Sequence, residues 1–419
     1  MKTGHPSGMA RRQARTVGTS IALAAGMTVA LFAGSAGAEQ LSDATTDPIT
    51  IGHRASAGLA PENTLAAVEL VKEQGPDLFE IDVQLSSDGV PVMMHDATLA
   101  RTTDVEEVFP GREGDLVNDF TYAELQQLDA GAWFSERFAG ERIPTLGEIL
   151  DHGYHPDLGI VIELKNPADS PGLVDVVVDE LNSDPRWNEL AADGRLTAIS
   201  FDLDAVRDFH ELRPDIPVMG LGGVPQSDAE LEAIAEWATS WGTNYRTLDP
   251  ADVDRVHEAG LLLNVYTVNS PAHMEYVIDL GVDMVTTDFP GVLVDLLAGA
   301  EPIPDANGVV ISDAVGDAPG DDLQPEHGEH VVLTNTTDRP VNVGGYYIND
   351  AVINTLVVGR GYLIPAGGEL RVYTGPGTNV RKPGDSRFYN DFGRAVLNNG
   401  GDSVALFTPD DTLVDIYAY

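Results

Sequence analysis

The feature that most constrains this chain is a rhythm. From about residue 49 to residue 298, short apolar runs alternate with amphipathic segments. The runs are "ITIGHR", "LFEIDVQLS", "VPVMMHD", "GIVIELK", "LTAISF", "IPVMGLG", "TSWGTNY", "LLLNVYTV" and "VDMVTTD". Between most of them lie segments such as "NTLAAVELVKEQG", "PGLVDVVVDELNS", "DLDAVRDFHELRP", "SDAELEAIAEWA" and "DPADVDRVHEAG", whose apolar spacing of three and four marks helices. Strands and helices that alternate at this length argue for a parallel sheet covered by helices. About eight such units over about 250 residues predict a (β/α)8 TIM barrel, with a doubly wound open sheet as the alternative. The barrel is expected over 46–298. One interval, 97–148, breaks the rhythm, and loops this long inside compact domains are usually functional.

The texture then changes. Residues 299–326 are rich in Pro, Gly and Asp and read as a linker with one short strand-like piece. Residues 327–419 alternate apolar and polar positions between Gly, Asn, Asp and Pro turns, which predicts a small all-β sandwich.

The front of the chain is a targeting signal. Lys2, Arg11, Arg12 and Arg15 precede the apolar stretch "TVGTSIALAAGMTVALFAG", and Ala36 and Ala38 supply the small residues of a cleavage site. Residues 1–38 are therefore expected to be a cleaved signal peptide and the mature protein to be secreted. An uncleaved anchor is the alternative, disfavoured because the run is short and diluted by Gly and Thr. No later segment is long and apolar enough to cross a bilayer, so no integral membrane segment is expected in the mature chain.

Charge and cysteine content exclude whole classes. There are 67 acidic residues against 24 basic ones, a formal net charge of −43, and the only lysines are Lys2, Lys72, Lys165 and Lys382. Nucleic-acid binding, which needs clustered cations to displace counterions, is excluded as an expectation. The chain has no cysteine, so any metal must be held by oxygen or imidazole.

Side chains of a strand alternate faces. In "LFEIDV", Glu80 and Asp82 share one face and Phe79, Ile81 and Val83 the other. In "GIVIELK", Glu163 and Lys165 share a face, and Ile160, Ile162 and Leu164 point away. The apolar sets can pack under helices, which turns the charged sets into the barrel at the strands' C-terminal ends, where this fold places its chemistry. Three inward carboxylates need a counter-charge. A divalent cation, Ca²⁺ or Mg²⁺, would supply it; salt bridges to Arg54 and Lys165 without a metal are the alternative. His53 closes the first run and His95 closes "VPVMMHD", and each could act as acid or base. Arg54 and Lys165 suit an anion such as phosphate.

These pieces resemble the glycerophosphodiester phosphodiesterases. The resemblance rests on "GHR" followed by "PENT", then "FEIDVQLSSDGVPVMMHDATLARTTD", "IPTLGEIL", "IELK", "VYTVN" and "TTDFP", in family order over roughly residues 49 to 298. It implies His53 and His95 as the acid/base pair and Glu80, Asp82 and Glu163 as ligands of one divalent cation. Arg54 and Lys165 would hold the phosphate, Tyr266 would form an aromatic wall where the family more often has Trp, and Glu62 would support the site. Asn63 would cap the following helix. The implied substrate is a small glycerophosphodiester, cleaved to sn-glycerol 3-phosphate and an alcohol through a cyclic phosphate. A lysophospholipid, sphingomyelin or a glycerol-phosphate wall polymer are alternatives on the same site. A lipid substrate would want an aromatic rim, for which Trp133, Phe134 and Phe138 are candidates, although their segment also matches the family's packing. Ala55 stands where the family usually carries Gly. Phe201 is either a pocket wall or core. The C-terminal region resembles a lamin-tail domain, an immunoglobulin-like sandwich, on "VVLTNTTDRPVNVGGYYIND", "LIPAGGELRVYTGPGTN" and "AVLNNGGDSVALFTPDDTLVDIYAY". Surface or wall attachment is the role this suggests, and Tyr346, Tyr347 and Tyr373 read as strand packing rather than a ligand platform. A catalytically inactive surface-binding protein is the reading from a different class.

Overall fold

A computed structural model of the chain describes residues 47–304 and 306–419; the expected signal peptide, 1–38, lies outside the described residues. The first sheet contains β1 (Ile49–Gly52), β2 (Leu78–Leu85), β3 (Pro91–Met93), β4 (Gly159–Leu164), β5 (Leu196–Ser200), β6 (Val218–Leu221), β7 (Ser240–Asn244), β8 (Leu262–Tyr266) and β9 (Met284–Thr287). Eight of them run parallel in the order β1-β9-β8-β7-β6-β5-β4-β2, and β1 also pairs with β2, so the sheet closes on itself. That closure removes the open-sheet alternative and gives the TIM barrel.

The remaining strand, β3, is not a stave of the barrel. It pairs antiparallel with β2, Val83 opposite Met93. The connection Ser86–Val90 is too short to hold a crossover helix, so a hairpin is the only return. The hairpin carries the chain back along β2, and the amide of Met94 donates to the carbonyl of Asp82 at 3.0 Å. His95 is thereby delivered to the site by a fold-back, not by a barrel strand end.

Alternation sorts the barrel side chains as expected. Ile51, Val161, Ile199, Met219, Leu221 and Met284 fill the lumen. Phe79, Ile81 and Val83 of β2, and Ile160, Ile162 and Leu164 of β4, pack outward under the helices. The helix Leu65–Gln74 is capped by Thr64, whose hydroxyl accepts from the amide of Ala67 at 3.3 Å, and ends at Gly75 with φ +70°. This corrects the expectation for Asn63, which sits at φ +59° and turns its side chain toward β2 instead. The interval 97–148 packs around its own buried cluster, including Leu99, Val105, Val117, Phe120 and Leu125. Trp133, Phe134 and Phe138 stack edge to face at 5.8 and 5.7 Å, and the Trp133 indole donates to the carbonyl of Ala130. They are half-buried packing residues.

The C-terminal region has β10 (Val309–Val315), β11 (His330–Asn335), β12 (Val341–Asn342), β13 (Tyr347–Asp350), β14 (Thr355–Val357), β15 (Leu363–Ile364), β16 (Glu369–Tyr373), β17 (Val380–Lys382), β18 (Asp385–Tyr389), β19 (Ser403–Phe407) and β20 (Leu413–Ala418). A sheet in the order β10-β11-β16-β18-β17 faces another in the order β14-β13-β19-β20, over a core that includes Val331, Leu333, Ile348, Leu370, Val404 and Leu406. The stretch read as a linker contains the first strand of this sandwich: β10 pairs with β11 because Val309 and Ile311 bury into its core. Tyr346 lies in that core, and Tyr373 stacks on Tyr389 at 4.7 Å, so both are packing residues.

The β19 strand is buried on both faces. Val404 and Leu406 point into the sandwich, while Ala405 and Phe407, with Ile416 of β20, join the hydrophobic cluster of the barrel. Tyr347 stacks on Phe407 at 5.0 Å along the same seam. Polar ties flank it. Arg246 donates to the carbonyl oxygens of Asp402, at 2.8 Å, and of Tyr419, and Arg137 meets Asp411 at 3.3 Å. Arg246 stands just after β7, at the C-terminal end of the barrel strands, and Arg137 stands in the inserted interval.

Asp402 is buried in this seam. Burial first, and then the charge of Asp350, push its carboxyl from 3.8 up to about 6. A carboxyl raised in the folded state makes that state bind more protons than the unfolded chain between about pH 4 and pH 6, so stability falls as pH rises through this window. We expect Asp402→Asn to raise Tm at about pH 7.5 and to change it little at about pH 4, read by thermal unfolding. An equal shift at both pH values would contradict the assignment.

Candidate active site

The site begins where β1 ends. A Cβ on Gly52 would collide with the carbonyl oxygen of Ala55, so the turn closes only around glycine. Arg54 and Ala55 follow in the left-handed region, at φ +46° and +71°. Ala55 thus holds a conformation that favours glycine, the residue expected there from the resemblance. The turn aims two amides at Glu80: Arg54 N–H donates to its Oε2 at 2.8 Å and Ala55 N–H to its carbonyl at 2.9 Å.

Glu80, Asp82 and Glu163 converge, all buried, with one oxygen of each within 4.8 Å of the others. Their compensation is uneven. Asp82 accepts from Asn63 Nδ2 at 2.8 Å and lies 3.4 Å from Lys165 Nζ and 3.6 Å from Arg54 Nε. Burial would raise its carboxyl, but the charges of His95, Lys165 and Arg54 hold it well below the usual range. Glu163 accepts from Lys165 at 2.9 Å, yet burial and the charge of Asp82 leave it raised. Glu80 fares worst. Burial, then Asp82 and Glu163, push it well above the carboxylate range, and its Oε1 is buried without a hydrogen-bond partner among the described residues. Salt bridges alone therefore do not complete this cluster. Three hard oxygen donors and one orphaned oxygen fit a divalent cation.

A second acidic group, Glu62, Asp96 and His95, is equally close, but it is already neutralised. Arg101 donates to both oxygens of Glu62 at 2.8 and 2.7 Å and to both oxygens of Asp96 at 2.7 and 2.9 Å. Arg54 adds a bond to Glu62 at 2.9 Å. Against the upward push of burial, these guanidiniums keep Glu62 ionised.

The two histidines are built alike. His53 Nδ1 lies 2.6 Å from Asp288 Oδ1, and His95 Nδ1 lies 2.7 Å from Asp96 Oδ1. A carboxylate at Nδ1 takes the Nδ1 proton as its hydrogen bond and leaves Nε2 for chemistry. Both rings line a cavity of about 170 Å³ together with Arg54, Glu80, Glu163, Lys165 and Tyr266. Phe201 lines it too. It is 54 % exposed, meets Tyr266 edge to face at 5.9 Å and lies 5.6 Å from Lys165 Nζ, so it is a wall and not core.

The structure thus brings together every residue expected at the site: His53, His95, Arg54, Lys165, Tyr266, Glu80, Asp82 and Glu163 line or border this one cavity. Sequence reading assigned no role to Asp96, Arg101, Asn269 and Asp288. The signal was present, since each is an acid or its partner one to eight residues past a strand, within or beside the quoted motifs "HDATLARTTD", "VYTVN" and "TTDFP".

An eight-stranded barrel with two carboxylate-held histidines, three buried carboxylates and two cations at one end has the equipment of a phosphate-ester hydrolase. Comparison with known proteins gives the particular class. Residues 53–292 match the Glycerophosphoryl diester phosphodiesterase family and residues 302–419 match the Lamin Tail Domain. A glycerophosphodiester phosphodiesterase of Bacillus subtilis is 32% identical over 255 residues, covering 58% of this chain and 84% of the relative. One of Caldanaerobacter subterraneus is 33% identical over 250 residues, covering 59% and 97%. Among solved structures, a phosphodiesterase of Oleispira antarctica in complex with the product sn-glycerol-3-phosphate is similar at TM-score 0.52 and 29% identity, over 60% of this chain and 97% of that one. The chain belongs to the glycerophosphoryl diester phosphodiesterase family, with a C-terminal lamin-tail domain, and it is an enzyme of that class.

Cation binding has a readout apart from turnover. Ca²⁺ or Mg²⁺ at about 100 times its Kd should stabilise the protein by ~2.7 kcal/mol, seen as a rise in Tm that chelator reverses. Glu80→Gln should abolish that increment while itself raising the Tm of the chelated protein, because it removes the least compensated buried carboxylate. A cation-dependent rise that survives Glu80→Gln would contradict this site.

Proposed function

We propose that this protein is an exported, cation-dependent phosphodiesterase that hydrolyses small glycerophosphodiesters to sn-glycerol 3-phosphate and an alcohol. The observation that carries the reading is the pair of Nδ1-anchored histidines lining one small cavity with Lys165 and Arg54. The name and bound product of the Oleispira relative support the substrate class. Export rests on the N-terminal segment alone; among the described residues no helix is long and apolar enough to cross a membrane.

In this mechanism the phosphate sits against Lys165 and Arg54, which match its charge. The glycerol hydroxyl next to the phosphoester attacks phosphorus, and one histidine takes its proton at Nε2. The other histidine gives a proton to the departing alcohol oxygen as the P–O bond breaks, leaving a cyclic phosphate. Water then opens the ring with the two proton transfers reversed. Asp288 and Asp96 hold the two rings in the tautomer this requires and stabilise each imidazolium as it forms. A cation bound by Glu80, Asp82 and Glu163, Ca²⁺ or Mg²⁺, would supply positive charge for the phosphoryl oxygens. Phe201 and Tyr266 offer an apolar wall to the substrate.

The test is release of glycerol 3-phosphate from glycerophosphocholine by the full chain. His53→Ala and His95→Ala should each lower kcat by about 10²–10⁴-fold. Lys165→Met should raise KM. Parental kcat in either histidine variant would contradict the mechanism. No release by the folded parental protein would turn the assay to lysolipids, sphingomyelin and glycerol-phosphate polymers, and silence on those too would favour the inactive binding protein.

A further inference from the structure

The sandwich meets the barrel at an unexpected place. Asn269, on the segment after β8, is 2 % exposed and makes four hydrogen bonds. Its Oδ1 accepts from the amide of Asp288 at 2.9 Å and from the hydroxyl of Thr287 at 3.2 Å. Its Nδ2 donates one hydrogen to Asp288 Oδ2 at 2.6 Å and the other to Ser403 Oγ at 2.9 Å. The other oxygen of Asp288 holds His53. Ser403 opens β19 of the C-terminal domain, on the same face as Ala405 and Phe407, which are buried against the barrel. A chain of hydrogen bonds, buried as far as Asp288, therefore runs from the C-terminal domain into the catalytic end of the barrel: Ser403, Asn269, Asp288, His53.

Such a chain restricts orientation. Asn269 can satisfy Asp288 in this manner only with its amide in one of two flips, and the Ser403 oxygen supplies the acceptor that the second N–H of that flip needs. Without it, a buried donor is orphaned, and the amide has cause to rotate away from Asp288. Asp288 would then lose the partner that fixes its second oxygen, and the His53 ring would lose the fixed carboxylate that sets its tautomer. Histidine orientation set through a layer of outer partners is a general device, and disturbing that layer lowers activity without touching substrate.

We propose that the lamin-tail domain is a working part of the active site, with Ser403 a positioning residue that acts on His53 through Asn269 and Asp288. The inference rests on the reading of His53 as an acid/base group. It gives the domain a role that attachment to a surface does not require, since the face of β19 that carries Ser403 is turned to the barrel. The domain docks through this face, and its loss would uncover both Asn269 and the apolar patch under Phe407.

The experiment uses the full chain and glycerophosphocholine, with kcat and KM measured separately. Ser403→Ala should lower kcat by about 3–10-fold and leave KM within about twofold, since the substrate contacts are untouched. Ser403→Thr, which keeps the oxygen, should restore kcat. Ser403→Val, its near-isostere without the oxygen, should not, and this pair answers the question even where Ser403→Ala fails to fold. The low-field proton resonance of His53 Nδ1–H, identified by its loss in His53→Ala, should shift or broaden in Ser403→Val and not in Ser403→Thr. Asp411→Ala, which breaks a separate tie at the same seam, should leave kcat unchanged. Parental kcat and an unmoved His53 resonance in Ser403→Val would overturn the proposal. So would equal losses in the Thr, Val and Asp411 variants, which would mean that only domain packing matters. Parental activity in His53→Ala would remove the reading beneath it, and is told apart from the other outcomes because it does not involve Ser403.

Discussion

The rest of this structure depends on one electrostatic problem: three carboxylates buried within a few ångströms of each other at the mouth of a barrel. Burial of even one such charge is unfavourable without partners. Asp82 obtains them from Asn63, Lys165 and Arg54, and Glu163 obtains one from Lys165. Glu80 receives only a backbone amide on one oxygen and nothing on the other. The uneven compensation fits the cluster to a cation and sets it apart from a saturated salt-bridge network. The contrast with Glu62 and Asp96 a short distance away is instructive, because two arginines close that network completely.

Each neighbouring feature serves this arrangement or exploits it. The left-handed turn at Arg54 and Ala55 exists to bring amides to Glu80. The hairpin through β3 returns His95 to the level of Asp82. The inserted segment delivers Arg101, which fixes Asp96 and so His95. The C-terminal domain does for His53, through Ser403 and Asn269, what the insertion does for His95. The two histidine rings are thus held from two different accessory parts of the chain, while barrel strands supply Glu80, Asp82 and Glu163.

Much of this was legible in the sequence. The repeat of strand and helix contained the barrel, and period two in "LFEIDV" and "GIVIELK" placed Glu80, Asp82 and Glu163 on the inner face before any coordinate. What was not legible has physical reasons. Apolar alternation in "VPVMMHD" looks the same in a barrel stave and in a hairpin; only the shortness of the turn before it tells them apart. Asn63 resembles a helix cap by type and position, but a bond to a buried carboxylate outweighs a cap that Thr64 can provide. Residues 299–326 are rich in turn formers, so their one strand-like piece read as part of a linker; its membership in the sandwich rests on pairing with β11, which begins 15 residues after β10 ends. The meeting of Ser403 with Asn269 spans 134 positions and two domains, and no local pattern encodes it.

The central claim, that Glu80, Asp82 and Glu163 together hold one divalent cation beside the two histidines, is tested most directly by diffraction from crystals of the protein grown with Mn²⁺. An anomalous peak enclosed by the three carboxylates, and absent from crystals grown with chelator, is the result this account predicts. Crystals at saturating Mn²⁺ with no peak there, and with the carboxylates bridged only by Lys165 and Arg54, would contradict it.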